Sequence, residues 1–206
     1  MTAQQGDILK DREQTYTILR RLGEELFRPE AYGLHPISIH TACRRGYRCT
    51  YELRDSFLTL RELLVKDGLG VYPPINGVGI AGRGAASPLP SDFESMPDPR
   101  PRLPSGPETY KDIDLPIPYT GKLLLADDFD FRYYIHMGLQ RPHGFRKLYT
   151  YSFQDGKLIE ITDHCETASM LRELCDQNSD PELPWLRGGA PYDKLPEELR
   201  KTIWWL

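Results

Sequence analysis

Several things are scarce or missing in these 206 residues, and each absence narrows what the chain can do. The start, Met1 to Asp7, lacks the basic patch and apolar run of a secretory signal, so no export is expected. No apolar run approaches the roughly 20 residues that a membrane-spanning helix needs. The densest one, Leu123-Leu124-Leu125-Ala126, is followed at once by Asp127 and Asp128. Cysteine is sparse: Cys43, Cys49, Cys165 and Cys175 are expected as free thiols, because a chain of this size needs no staples and carries no export signal. Positive charge is not in excess either. A net charge of -4 argues against general attraction to nucleic acid or to anionic lipid. Together these features predict a soluble, cytoplasmic protein with no membrane association and no nucleic-acid partner.

Chemical signatures are equally thin. There is no nucleophile elbow and no complete set of metal ligands. His40-x-x-Cys43 is half of a zinc pair without a second half, so no metal site and no cofactor are expected. Gly77-Val78-Gly79-Ile80-Ala81-Gly82 matches the dinucleotide fingerprint letter for letter, but Pro73-Pro74 precedes it and a proline-rich segment follows. The fingerprint works only as a turn between a strand and a helix, so this match reads as a glycine-bearing loop. His164-Cys165 at a helix start is the one arrangement resembling an activated thiol, yet neighbours on a first turn do not face one another.

What is present is ordinary globular composition, 39% hydrophobic and 27% charged, apart from 18 prolines. Ile18, Leu19, Leu22 and Leu26 recur at helical spacing and predict an N-terminal helix over residues 11–27, with Tyr16-Thr17-Ile18-Leu19 as a competing strand. Tyr47, Cys49, Tyr51 and Leu53 alternate with polar residues, and Phe57 to Val65 supplies a return strand after Arg54-Asp55-Ser56. Residues 72–118 are rich in proline and glycine and read as a long excursion outside the core. A strand is expected over Tyr119–Ala126. Phe129, Phe131, Tyr133, Ile135 and Met137 then alternate with Asp128, Asp130, Arg132, Tyr134 and His136, predicting a further strand with one apolar and one ionisable face.

Leu148–Phe153 and Leu158–Thr162 flank Asp155-Gly156, a hairpin signal, and Asp163 to Glu166 resembles a capping box ahead of a helix through Met170, Leu171, Leu174 and Cys175. Residues 178–192 read as a connection to a short C-terminal helix bearing Trp204 and Trp205, a possible contact for a homo-oligomer. The expected fold is a single α+β domain, residues 1–206, in which an antiparallel sheet of about five or more strands is packed by N-terminal and C-terminal helices.

Two clusters carry the functional expectations. The first is the row Asp128, Asp130, Tyr134 and His136, extended by Arg141 and His143. A carboxylate beside a histidine is the minimum for acid–base chemistry, although a solvated sheet face shows the same alternation. The second is Arg44-Arg45-Gly46-Tyr47-Arg48, whose guanidinium forks suit a carboxylate or phosphate. The leading expectation is a non-enzymatic module that binds a protein partner or a small anionic ligand through Arg45, Tyr47, Tyr134, Arg141 and His143. The alternative is a small hydrolase or lyase with His136 as base, Asp128 or Asp130 orienting it, and Arg45 clamping the substrate.

Overall fold

The structure is a computed structural model that describes residues 2–81 and 106–177. Among these residues lie nine strands and one α-helix. The strands are β1 (Asp7–Asp11), β2 (Gln14–Gly23), β3 (Tyr47–Arg54), β4 (Phe57–Val65), β5 (Glu108–Tyr110), β6 (Leu115–Pro116), β7 (Gly121–Phe129), β8 (Phe145–Gln154) and β9 (Lys157–Asp163), and the helix is α1 (Cys165–Gln177).

All nine strands belong to one mixed sheet. Its order is β3-β1-β2-β7-β8-β9-β4, and β4 pairs back onto β3, so the strands close into a ring. Every pairing in the ring is antiparallel except β1 with β3, which run parallel with Leu9 opposite Tyr51. Closure between β4 and β9 is narrow. It consists of Phe57 opposite Lys157, with backbone bonds from Leu58 N to Gly156 O and from Leu158 N to Ser56 O, each 2.8 Å. The two hairpin turns thus seal the ring, and both have left-handed central residues, Asp55 and Ser56 in one and Asp155 and Gly156 in the other. Gly156 is needed for a second reason: a Cβ there would lie 2.5 Å from the Ile117 carbonyl oxygen.

Two apolar clusters flank the sheet. Leu9, Ile18, Tyr51, Leu60, Leu123, Leu125, Tyr151 and Phe153 belong to the larger one. Leu19, Leu124, Ala126 and Leu148 form the other, with Ala168, Leu171 and Cys175 of α1 packed on them. Strand β7 feeds both clusters, which explains its unbroken Leu-Leu-Leu-Ala run: each residue is 0–1% exposed, and a strand buried on both faces has no polar side to alternate with. A fully buried leucine contributes about 1.5–3 kcal/mol, so this short run is a large share of the fold's driving force. The helix start follows the sequence expectation, with the Asp163 carboxylate accepting the Cys165 N–H at 2.7 Å.

Three expectations need correction. The chain is mostly β, and the sheet is not packed by an N-terminal helix: residues 7–23 form the β1–β2 hairpin. The adjacent buried pair that imitates a helical face arises because β2 is covered on both sides there: Ile18 and Leu19 point to opposite clusters, as neighbours on a strand do, and a bulge follows where Ile18 pairs with Leu125 but Arg20 with Leu124. Second, the strand expected over Phe129 to Met137 ends at its first residue. Asp128 is left-handed (φ 57), and Asp130 accepts the Arg132 N–H to cap a 3-10 turn over Phe131–Tyr133. Third, the described parts of the 72–118 excursion contribute to the core, with Ile75 and Tyr110 fully buried, Ile113 nearly so, and β5 and β6 paired along β4. The short C-terminal helix, Trp204 and Trp205 lie outside the described residues. No helix among the described residues is long and apolar enough to cross a membrane.

Candidate functional site

Arg45 stands beside a cleft of about 330 Å3 that the sequence did not reveal. It lies where the start of β1, the bulged middle of β2 and the loop 43–46 converge, and Arg20, Arg21, Arg44 and Arg45 all line it. Gln4, Asp7 and the apolar Ile18, Leu19, Leu26, Cys43 and Leu139 complete much of the wall.

The arginine loop is tightly held. Gly46 has φ 83 and a Cβ on it would sit 2.5 Å from the Ile37 carbonyl oxygen, so the chain turns there with no room for a side chain. Gln5 N donates to Ala42 O (2.8 Å), and the Gln4 side chain accepts from Arg44 N (3.3 Å) while donating to Thr41 O (2.8 Å). On the other side, Gln4 N donates to Gly138 O (2.7 Å), which fastens the loop carrying Leu139 over the cleft. Gln140 braces that loop by donating to Ile135 O and accepting from Ile135 N.

Asp7 organises the charge. Its carboxylate accepts from the Arg45 guanidinium and from Cys49 N (2.7 Å), joining β1, β3 and the loop. Arg45 also donates to Tyr47 O (2.8 Å) and lies 4.4 Å over the Tyr47 ring. Burial works to lower the Arg45 pKa, but the charge and hydrogen bond of Asp7 reverse that effect and raise it. Burial, opposed by Arg45, pushes the Tyr47 phenol up to about 12, so it stays a neutral hydroxyl. Arg21 bridges to Glu25 (3.3 Å). Arg44, exposed, forms no ion pair among the described residues.

The other expected site residues are scattered. Asp128 meets Arg146 at 3.5 Å. Asp130 is gripped by Arg132 through Nε (3.0 Å) and Nη2 (2.7 Å), and that hydrogen bonding holds its carboxyl down at about 2. Such a group stays ionised and committed, the opposite of a poised base. His136 packs edge-on against the exposed Tyr134 (5.2 Å) and has no hydrogen bond or ion pair to either aspartate among the described residues. Arg141 precedes the 3-10 turn Pro142–Gly144. His143 in that turn is fully buried, with neither ring nitrogen hydrogen-bonded. The structure therefore groups Arg45 with Tyr47 and does not bring His136 together with Asp128 or Asp130.

The minor motifs resolve simply. Asn76 and Gly77 are the left-handed centre of a tight turn closed by reciprocal 2.9 Å bonds between Ile75 and Val78, far from a strand-to-helix phosphate loop. His164 is 2.8 Å from the Thr150 hydroxyl, and burial raises the pKa of the Cys165 thiol. No group of three metal-ligating side chains occurs among the described residues. Sequence reasoning missed Arg20, Arg21 and Asp7. The adjacent Arg20-Arg21 after a buried pair was the available signal, and the helical reading of residues 11–27 concealed it. The chain matches no family model, no curated protein and no solved structure.

Proposed function

We propose that this protein binds a small anionic ligand in the arginine-lined cleft, acting as a binding module and not as a catalyst. The observation that carries this reading is a cleft lined by four arginines, Arg20, Arg21, Arg44 and Arg45, with Asp7 the single carboxylate among its described lining residues. Guanidinium forks match the oxygens of carboxylate and phosphate, and bringing four like charges together costs energy that an anion returns. Asp7 offsets the charge of Arg45 and Glu25 pairs with Arg21, while Arg44, exposed at the cleft, forms no ion pair among the described residues.

Two rivals fit less well. Acid–base hydrolysis or elimination would need a histidine oriented by a carboxylate, and the nearest partner of His136 is Tyr134. A nucleic-acid surface would need a continuous basic track through Arg141 and Arg146, but Arg146 is engaged by Asp128 and Asp130.

Titration calorimetry with inorganic phosphate and phenyl phosphate at low ionic strength tests the reading. Binding is expected, weakened about tenfold by Arg44→Ala and steadily by added salt. Absence of heat from both probes at millimolar concentration, or the same affinity in Arg44→Ala, would remove the cleft as an anion site.

A further inference from the structure

We propose that the overhanging edge of β9 receives a basic, extended segment of another protein as an added strand. This surface is separate from the arginine-lined cleft and does not depend on the anion-binding reading. Antiparallel pairing of Phe57 with Lys157, with Leu158 N donating to Ser56 O, carries β9 past the start of β4 and beyond the Asp55-Ser56 turn. From Ile159 to Asp163 its only strand partner among the described residues is β8. His164 N donates to Leu148 O at 2.8 Å, so the alternation of an antiparallel pair directs the backbone of Thr162 to β8 and the N–H and C=O groups of Ile161 and Asp163 outward. An outward row of that kind is a template for a further strand.

The side chains say what that strand must carry. Ile159 and Ile161 are 60% and 51% exposed, and apolar residues laid beside them would remove that area from water. Ile161 stands opposite Tyr151 and Glu160 opposite Ser152, so the two face opposite sides of the sheet. Charge decides the rest. The overhang bears two exposed carboxylates, Glu160 and Asp163, and no basic residue, and Glu160 forms no ion pair among the described residues. The one lysine of β9, Lys157, lies at the end already held by β4. Lysine or arginine across from Glu160, alternating with apolar residues across from Ile161, is the complementary pattern. A second copy of this chain fits less well, because its own overhang would bring the same two carboxylates to the seam and no base to meet them.

The probe is a short end-capped peptide of alternating valine and lysine, with the valine–glutamate peptide of the same length as its counterpart. Each is titrated into the full chain at low ionic strength while amide hydrogen exchange is followed by NMR. The lysine peptide is expected to bind and to slow exchange at the Ile161 and Asp163 amides, and the glutamate peptide to leave those amides unchanged. Glu160→Lys, a substitution at an exposed position, should weaken the lysine peptide about fivefold or more and admit the glutamate peptide to the same edge. Arg44→Ala should bind the lysine peptide as the wild type does, which keeps failure here apart from failure of the anion site. Equal protection of the two amides by both peptides, protection confined to other strands, or no binding of the lysine peptide at millimolar concentration would overturn the proposal. So would concentration-dependent dimerisation with Ile161 and Asp163 protected before any peptide is added, which would assign the edge to a second copy.

Discussion

His143 makes the fold acid-sensitive in a window that a single substitution should erase. Its imidazole is fully buried, neither ring nitrogen has a hydrogen-bond partner, and the Tyr133 ring stands edge-on at 5.8 Å. Arg172 donates to the His143 carbonyl at 3.1 Å, which keeps a second cation close, and Arg141 lies two residues back. Burial, assisted by these two charges, lowers the His143 pKa from 6.5 to about 4. The folded state thus keeps the ring neutral while the unfolded chain protonates it below about 6.5. The folded pKa is the depressed one for a base, so stability is complete above 6.5 and declines as pH falls toward 4. At 1.36 kcal/mol per unit, the loss is about 1.4 kcal/mol at pH ~5.5, about 2.6 at pH ~4.5 and about 3.4 in full.

Urea denaturation of the wild type and of His143→Leu across this range measures the effect. The difference between the two proteins should grow by these amounts as pH falls. Comparing them cancels His164, whose pKa burial also lowers, and the carboxylates. Leucine should cost nothing at neutral pH, since it removes two buried nitrogens that lack partners. A difference that stays flat with pH, or an imidazole that titrates near 6.5 in the folded protein by NMR, would refute the reasoning.

Asp7→Asn should retain the acceptor for Cys49 N and release the Arg45 charge. A unit charge ~6 Å from a bound anion at an effective dielectric of about 20–80 is worth about 0.7–2.8 kcal/mol, so phosphate affinity should rise at least threefold by calorimetry. Ser56→Gly relieves a left-handed residue (φ 69) in the β3–β4 turn and should stabilise the protein by about 0.5–1 kcal/mol in urea denaturation. Gly156→Ala combines φ 80 with a 2.5 Å clash on Ile117 O at the sheet's closure and should cost more than about 2 kcal/mol, read as a fall in melting temperature.

The sequence was most legible where the chemistry is local. The β3–β4 and β8–β9 hairpins follow from alternation bounded by turn residues, and α1 follows from Asp163 and a helical apolar stripe. It misled where burial or backbone geometry breaks the simple periods. Burial on both faces of β2 makes adjacent Ile18 and Leu19 both apolar, as one helix face would, and the left-handed Asp128 lets the strand end at Phe129, at the start of ten alternating residues. The cleft was legible only in part. Arg44 and Arg45 were visible as a cluster, but Arg20, Arg21, Asp7 and Leu139 join them only through the parallel β1–β3 pairing and the Gly138 tie. Non-local pairings of that kind leave no periodic trace in the sequence.

The bulge in β2 also shapes the site. A strand continuing in register from Ile18 would direct Arg20 to the same face as Ile18 and Arg21 to the opposite one. The extra residue exchanges them: Arg20 pairs with Leu124, of the cluster beneath α1, and Arg21 pairs with Leu123, of the larger cluster. On that side Arg21 reaches Glu25 at 3.3 Å, so the guanidinium at the edge of the larger cluster is one with a carboxylate partner, where an unpaired charge would cost several kcal/mol or more. One inserted residue thus decides which of two adjacent arginines faces which cluster, and both line the cleft.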